Sequence, residues 1–415
     1  MMHWRSFMKK FHVTATSIAL ACLAASAAPK PMINYFKPVP IVGNLTTSGW
    51  GYNSVGPRDS CNGIEDIPNY RYWDGKIIKA SDGRYHLFCS RWPISAGTSA
   101  WLSASVSIHA ISDSNILGPY KFQGQTYTYQ NGKGHNTTGL TLVDGAYCVV
   151  ESAIVPGWIF TSSSLDGPFT YKGSLQWNGN GFNPSFVTSN TQICVGPDNR
   201  YWEIGSSGFV LSSDSILGTY KATGPSVYPN NIPGTNNGHA EDPLIWYSGG
   251  YFHVVYNYWD IRKAYHLMSK DGIHNWINTG VALDRSTDFI RYTDGTVNHW
   301  GNMERPNVYM ENGHVTHFTF AVTDKNKDSS NASTSSKVIV VPFDGASFDA
   351  DNGGDAVVDG GSHLSVSQLL AAKLSAGKKT ACDLAGKTLG GRATPGIYLA
   401  QKPGGYGLQK KIALK

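Results

Sequence analysis

Residues 239–258 read HAEDPLIWYSGGYFHVVYNY. A short polar and acidic motif runs into an apolar strand, Gly249-Gly250 makes a turn, and an aromatic-rich strand returns, which is the pattern of a β-hairpin. The unit closes at Asp271-Gly272 with Trp276. The same grammar appears on both sides of it. A first unit starts at Tyr72-Trp73-Asp74-Gly75, turns at Asp82-Gly83 and closes near Leu117-Gly118-Pro119-Tyr120. A second runs from His135-Asn136 through Asp144-Gly145 to Leu165-Asp166-Gly167-Pro168. A third is read from Phe182-Asn183-Pro184 through Asp198-Asn199 to Leu217-Gly218-Thr219-Tyr220, and a fifth from Met303-Glu304-Arg305-Pro306 through Asn312-Gly313 to Val338-Ile339-Val340-Val341. Repeats of some tens of residues, each of about four short strands, predict an all-β fold, a five-bladed β-propeller with a short C-terminal β tail. One such sheet cannot bury both faces alone, so the blades pack face to face and close a ring. Residues around Ile41 to Tyr52 are expected to supply the closing strand.

In a propeller the innermost strand of every blade begins at the same end of the axis, so the opening motifs converge. This gathers Asp74, His135, Asn136, Asn183, His239, Glu241, Asp242, Glu304 and Arg305 as candidate site residues. Two E-x-P motifs stand out, Glu241-Asp242-Pro243 and Glu304-Arg305-Pro306. Proline at the first residue of a strand fixes the backbone and holds the neighbouring carboxylate. Each residue also has a plainer reading. Asp74 suits a turn before Gly75, Asp242 can brace a loop, and a lone histidine is more often structural than chemical. Trp73, Trp92, Tyr258, Trp259 and Trp300 offer either stacking faces or packing between blades.

The chain has 415 residues, 15% charged against roughly 25% in an average soluble protein, and a formal net charge of +5. Its lysines cluster at the ends, at Lys9 and Lys10 and from Lys378 to Lys415, with no dense basic stripe of the kind nucleic acid requires. Gly, Ser, Thr, Asn and Tyr carry the polarity instead, as suits uncharged hydrogen-bonding ligands. Arg5, Lys9 and Lys10 precede an apolar run from Val13 to Ala25 and the small-residue site Ala25-Ser26-Ala27, the layout of a secretory signal peptide. A secreted or cell-surface monomer without a transmembrane segment is expected. Excluding Cys22 from the six cysteines leaves five, with no CxxC spacing for a metal knuckle. The domain reading is 1–27 signal peptide, 34–347 propeller, 348–378 linker and 379–415 tail.

Between about Tyr70 and Asp344 the sequence resembles the five-bladed propeller glycoside hydrolases of family 43 and their family 32, 62, 68 and 117 relatives. The resemblance implies a first-blade Asp as base or nucleophile, a second Asp that tunes pKa, and a Glu in an E-x-P setting as general acid. Asp74 resembles the first, Glu241 the acid, and Asp242 or Glu304 the modulator, while His135-Asn136 stands where the second blade would carry an Asp. It further implies hydrolysis of plant or algal polysaccharide or oligosaccharide, with inversion by analogy, no required cofactor, and room for a calcium ion on the axis. Two other functions stay open: a non-catalytic carbohydrate-binding propeller, and a polysaccharide lyase in which His135 or His239 takes a proton beside a uronate paired with Arg305. The last residues, Asp383-Leu384-Ala385-Gly386-Lys387, Pro395-Gly396-Ile397-Tyr398-Leu399 and the basic end Lys410 to Lys415, resemble the sorting tail of proteins exported by the type IX secretion machinery.

Overall fold

The computed structural model describes residues 29–46, 50, 55–64, 69–229, 240–258, 261–287, 289–327 and 335–353, together with the strands Gly396–Gln401 and Leu408–Ala413. Contacts divide the chain into two units, residues 1–357 and 358–415. The expected signal peptide, and most of the expected linker and tail, lie outside the described residues. In the second unit the two strands pair antiparallel, Gly396 opposite Ala413.

The first unit is a five-bladed β-propeller. Its sheets follow one another along the chain, and four of them order their strands consecutively from the axis outward. Blade 1 runs from Tyr70–Lys79 at the axis through Tyr85–Pro93 and Val106–Ser112 to Lys121–Gln125. Blade 2 runs from Thr138–Thr141 to Thr170–Ser174, and blade 4 from Ala240–Ser248 to Ile277–Asp284. Blade 3 starts at Gln192–Val195 and gains a parallel outer strand, Gln176–Asn178, on Thr219–Ala222. Blade 5 has three strands, Asn302–Glu311, His314–Thr323 and Ser336–Pro342. Apolar clusters fill the spaces between neighbouring blades. Ile78 and Phe88 of blade 1 meet Val149 and Phe160 of blade 2, and Trp202 and Ile204 of blade 3 meet Val254 and Tyr256 of blade 4.

The ring closes on blade 5, and among the described residues of the expected segment none pairs with that blade's outer strand. Leu45–Thr46 pairs with Arg58–Asp59 in a separate ribbon. The outer edge of blade 5 is met instead by Phe36, bridged to Phe343, and by Asn62, whose side chain exchanges hydrogen bonds with the backbone of Val340. Gly63 shows how tight this seam is, because a Cβ there would sit 1.8 Å from the Val338 carbonyl oxygen. At the propeller's end the helix Gly345–Asp351, capped by the Asp344 side chain, runs past the expected boundary between residues 347 and 348. Phe348 on that helix is buried against Tyr35 and Phe343.

Candidate active site

Where the inner strands of blades 1, 4 and 5 begin, the pairing skips. Trp73 faces Ser90 but Lys76 faces Phe88, Glu241 faces Asn257 but Leu244 faces Val255, and Glu304 faces Ala321 but Asn307 faces Thr319. Two residues thus oppose one, a β-bulge, which bends a strand and re-aims its side chains. The first bulged residue is left-handed in each case: Asp74 at φ 63°, Asp242 at φ 51° and Arg305 at φ 53°. Asn136 and Asn190, both at φ 54°, precede the inner strands of blades 2 and 3 in the same conformation. Each blade therefore sends one left-handed residue to the axis.

These five residues are bonded into a ring. Arg305 Nε donates to Asp74 Oδ1 at 2.7 Å, and its Nη1 lies 3.5 Å from Asp242 Oδ1. Asn190 Nδ2 donates to the same Asp242 oxygen at 2.9 Å, and Asn136 Nδ2 donates to Asn190 Oδ1. The Thr137 backbone N–H completes the circuit by donating to Asp74 Oδ2, which also accepts from Ser90 Oγ at 2.5 Å. Each residue immediately before a ring member, namely Trp73, His135, Ser189, Glu241 and Glu304, lines a pocket of about 550 Å³ above it.

The sequence candidates fall out unevenly. His135, Asn136, Glu241, Asp242, Glu304 and Arg305 all line the pocket. Asp74 does not: it is 1% exposed, lies in the ring, and both its oxygens are taken. Asn183 is a correction. It is exposed and away from the pocket, because the third inner strand starts at Gln192 and Asn190 holds the equivalent place. His239 lies outside the described residues, as does Trp259. Of the other aromatics, Trp73 and Trp92 line the pocket, whereas Trp300 packs edge-on against Trp50 and Tyr258 is buried. Sequence reading missed Trp101, Lys327, Ser206 and Ser189. Ser189-Asn190-Thr191 echoes His135-Asn136-Thr137, and that echo was the available signal for blade 3.

Electrostatics separate the carboxyls. The Glu241 carboxyl makes no hydrogen bond among the described residues, and burial, followed by the charges of Asp242 and Glu304, pushes its pKa up to about 8. Burial also raises Asp242, against the pull of Arg305, and its Oδ2 has no hydrogen-bond partner among the described residues. Glu304 is held on both oxygens: Oε1 accepts from Arg262 and Asn302, each at 2.8 Å, and Oε2 accepts from Lys327. Burial opposes the charge on Lys327, yet Glu304 beside it holds its pKa above the ordinary lysine value. Lys327 also lies over the Trp73 ring, 5.1 Å from its centre. His135 is stacked on Trp101 at 4.7 Å, bonded to Ser105 through Nδ1, and lowered by burial to about 4.

One oxygen from each of Glu241, Asp242 and Glu304 lies within 4.8 Å of the others. The sequence leaves room for a calcium ion on the axis, and this cluster does not fit one. Calcium takes six to eight oxygen ligands, whereas Arg262 and Lys327 occupy Glu304 and Arg305 already compensates Asp242.

No protein-family model matches the sequence, and no curated protein matches it. The solved structures it resembles include several glycoside hydrolases. They include one described only as a glycoside hydrolase, at 15% identity and TM-score 0.46, covering 68% of this chain and 61% of that one. Another is a family 117 glycoside hydrolase from the marine bacterium Zobellia galactanivorans, at 15% identity and TM-score 0.43, over 74% and 89% of the two chains. A third is the α-L-arabinofuranosidase of Podospora anserina in complex with cellotriose, at 11% identity and TM-score 0.48, over 76% and 98%. A likeness of this size concerns the fold, so the chemistry has to be read from the pocket.

Proposed function

We propose that this protein is a glycoside hydrolase acting on plant or algal polysaccharide or oligosaccharide, with its reaction centre at Glu241 and Glu304. The observation that carries the reading is the Glu241 carboxyl, pushed up to about 8 in a pocket it shares with Glu304. A glycosidase needs one protonated carboxyl to give a proton to the leaving oxygen and a second carboxylate at the anomeric carbon. Glu241 supplies the proton. Glu304, fixed by Arg262, Asn302 and Lys327, is the second group. Asp74, Asp242 and Arg305 act as positioning residues through the ring beneath. Trp73, Trp92 and Trp101 provide flat apolar faces for a sugar ring.

Spacing bears on stereochemistry. Inversion needs the two carboxyls about 6.5–9.5 Å apart with water between them, while retention needs about 5–5.5 Å. Nearest oxygens of Glu241 and Glu304 are within 4.8 Å, so the reading favours retention over the inversion expected by analogy. Arg305 uses Nε on Asp74 and Nη1 on Asp242, while its Nη2 has no hydrogen-bond partner among the described residues, so the lyase alternative is decided by the products. Secretion, through the N-terminal leader and the type IX tail, and a monomeric state remain part of the proposal.

The test is to screen the purified protein against aryl glycosides and plant oligosaccharides, following the anomer of the first product by proton NMR. Release of sugar with the substrate's own anomeric configuration supports the proposal. Inverted product would move the base role outside the Glu241, Asp242 and Glu304 cluster. Unsaturated products absorbing in the ultraviolet would replace hydrolysis with elimination, and binding without turnover would leave only a lectin-like pocket.

A further inference from the structure

Below the ring the inner strands form a second layer around the axis, and beyond it a cavity of about 400 Å³ that is separate from the substrate pocket. All five blades line it, through Lys76, Thr141, Gln192, Tyr247 and Asn307 among others. Lys76 follows the Asp74-Gly75 bulge, so the same skip that lifts Asp74 into the ring sends the next residue to this lower layer. Its ammonium donates to one backbone carbonyl, that of Val308, at 2.9 Å. Among the described residues no carboxylate is paired with it. The nearest titratable influence is the Cys194 thiol, which burial raises to about 12 and so keeps neutral. Glu311 stands near the cavity but is matched by Lys79 at 3.5 Å and bonded by the Tyr309 hydroxyl. Gln192 is oriented by two donors on its Oε1, Thr138 Oγ1 at 2.8 Å and Asn307 Nδ2 at 3.3 Å. That leaves its amide nitrogen without a hydrogen bond among the described residues.

We infer that this lower axial cavity is a binding site for a small oxyanion, held by the Lys76 ammonium and the Gln192 amide. Lys76 is partly buried with no carboxylate partner among the described residues, and a cation held that way is relieved either by losing its proton or by gaining an anion. Burial indeed lowers Lys76 to about 8, the response of an ammonium lacking a counter-charge. The cavity admits a phosphate, sulfate or short carboxylate with space to spare. The inference does not depend on the hydrolase reading, because the cavity shares none of its lining with the pocket.

The experiment is isothermal titration of the full chain with inorganic phosphate and, separately, with acetate. One saturable site per chain, with a dissociation constant on the order of 1 mM, is expected. Acetate binding above pH 8 should take up protons, read from its dependence on the buffer's ionisation enthalpy, since an anion favours the ammonium. Lys76→Met should abolish both signals and Lys76→Arg should keep binding but lose the proton uptake. No saturable binding by the parent protein up to ~100 mM, the weak end of measurable association, would overturn the site. So would equal binding by Lys76→Met, or acetate binding without proton uptake, a measurement that needs no variant. Competence in hydrolysis is not read at any step, so failure here and failure of the proposed activity are distinguishable.

Discussion

A carboxyl that stays protonated near neutral pH must be kept from water and close to other negative charge, and Glu241 meets both conditions beside Asp242 and Glu304. In the proposed reaction its proton is the reagent, so kcat/KM should fall as pH rises through about 8. Glu241→Gln should lower kcat by roughly 10²–10⁴-fold on substrates with poor leaving groups and remove that alkaline limb, as a pH–rate profile will show. The same proton bears on stability. A carboxyl raised from 4.5 to about 8 favours the folded state most below 4.5, and that advantage is lost as pH climbs to about 8. Chemical denaturation should therefore find Glu241→Gln gaining on the parent across that window, by up to a few kcal/mol at roughly 1.4 kcal/mol per pH unit. Asp74 behaves differently, because it and Arg305 form a buried pair at 2.7 Å. Asp74→Asn should cost up to about 3–5 kcal/mol of stability by leaving Arg305 with only the 3.5 Å contact to Asp242 as counter-charge, measurable as a lower urea midpoint. At this scale Glu241 and Glu304 were legible because the same E-x-P triplet opens two repeats. Lys327 was not, because it reaches Glu304 from a loop after Thr323 with no repeat to mark it.

The bulged strand head is the element that makes the site. A regular strand would alternate its side chains between the two blade faces and send none of them in sequence toward the axis. The skip in pairing turns one residue into the ring and its predecessor into the pocket, which explains why Glu241 and Asp242, adjacent in the chain, both face the axis. Left-handed backbone suits asparagine and aspartate better than branched residues, consistent with Asn136, Asn190, Asp74 and Asp242 at these positions. Asn190→Val should lose about 1–3 kcal/mol from backbone strain together with the bond to Asp242, while Asn190→Gly should lose less. Thermal unfolding of the two variants separates the contributions: equal losses would mean that the backbone conformation carries no cost. Four of the five blade starts could be read from sequence. The third was read at Phe182-Asn183-Pro184, whereas the strand waits until Gln192, after the added edge strand Gln176–Asn178.

For the whole molecule, closure decides whether five sheets become one pocket. The seam joins residues far apart in the chain: Lys37 N–H donates to the Pro342 carbonyl, the Tyr35 hydroxyl donates to Asp351, and Met32 is fully buried in the cluster between blades 4 and 5. Met32→Ala should destabilise by about 2–5 kcal/mol, the range for emptying a buried methionine site, and a calorimetric scan will read it as a lowered melting temperature. An unchanged transition would show that this N-terminal segment does not clasp the ring. The amino-acid sequence by itself determined the blade count, the turns and the residues heading most repeats, because strand alternation and glycine or proline turns are local properties encoded within each repeat. Tertiary structure alone decided which carboxyls stay free, with Asp74 spent on Arg305 and Glu304 on Arg262 and Lys327 while Glu241 is left with its proton. Those partners are set by three-dimensional packing between blades, over chain separations as long as 231 residues, and no local pattern records them.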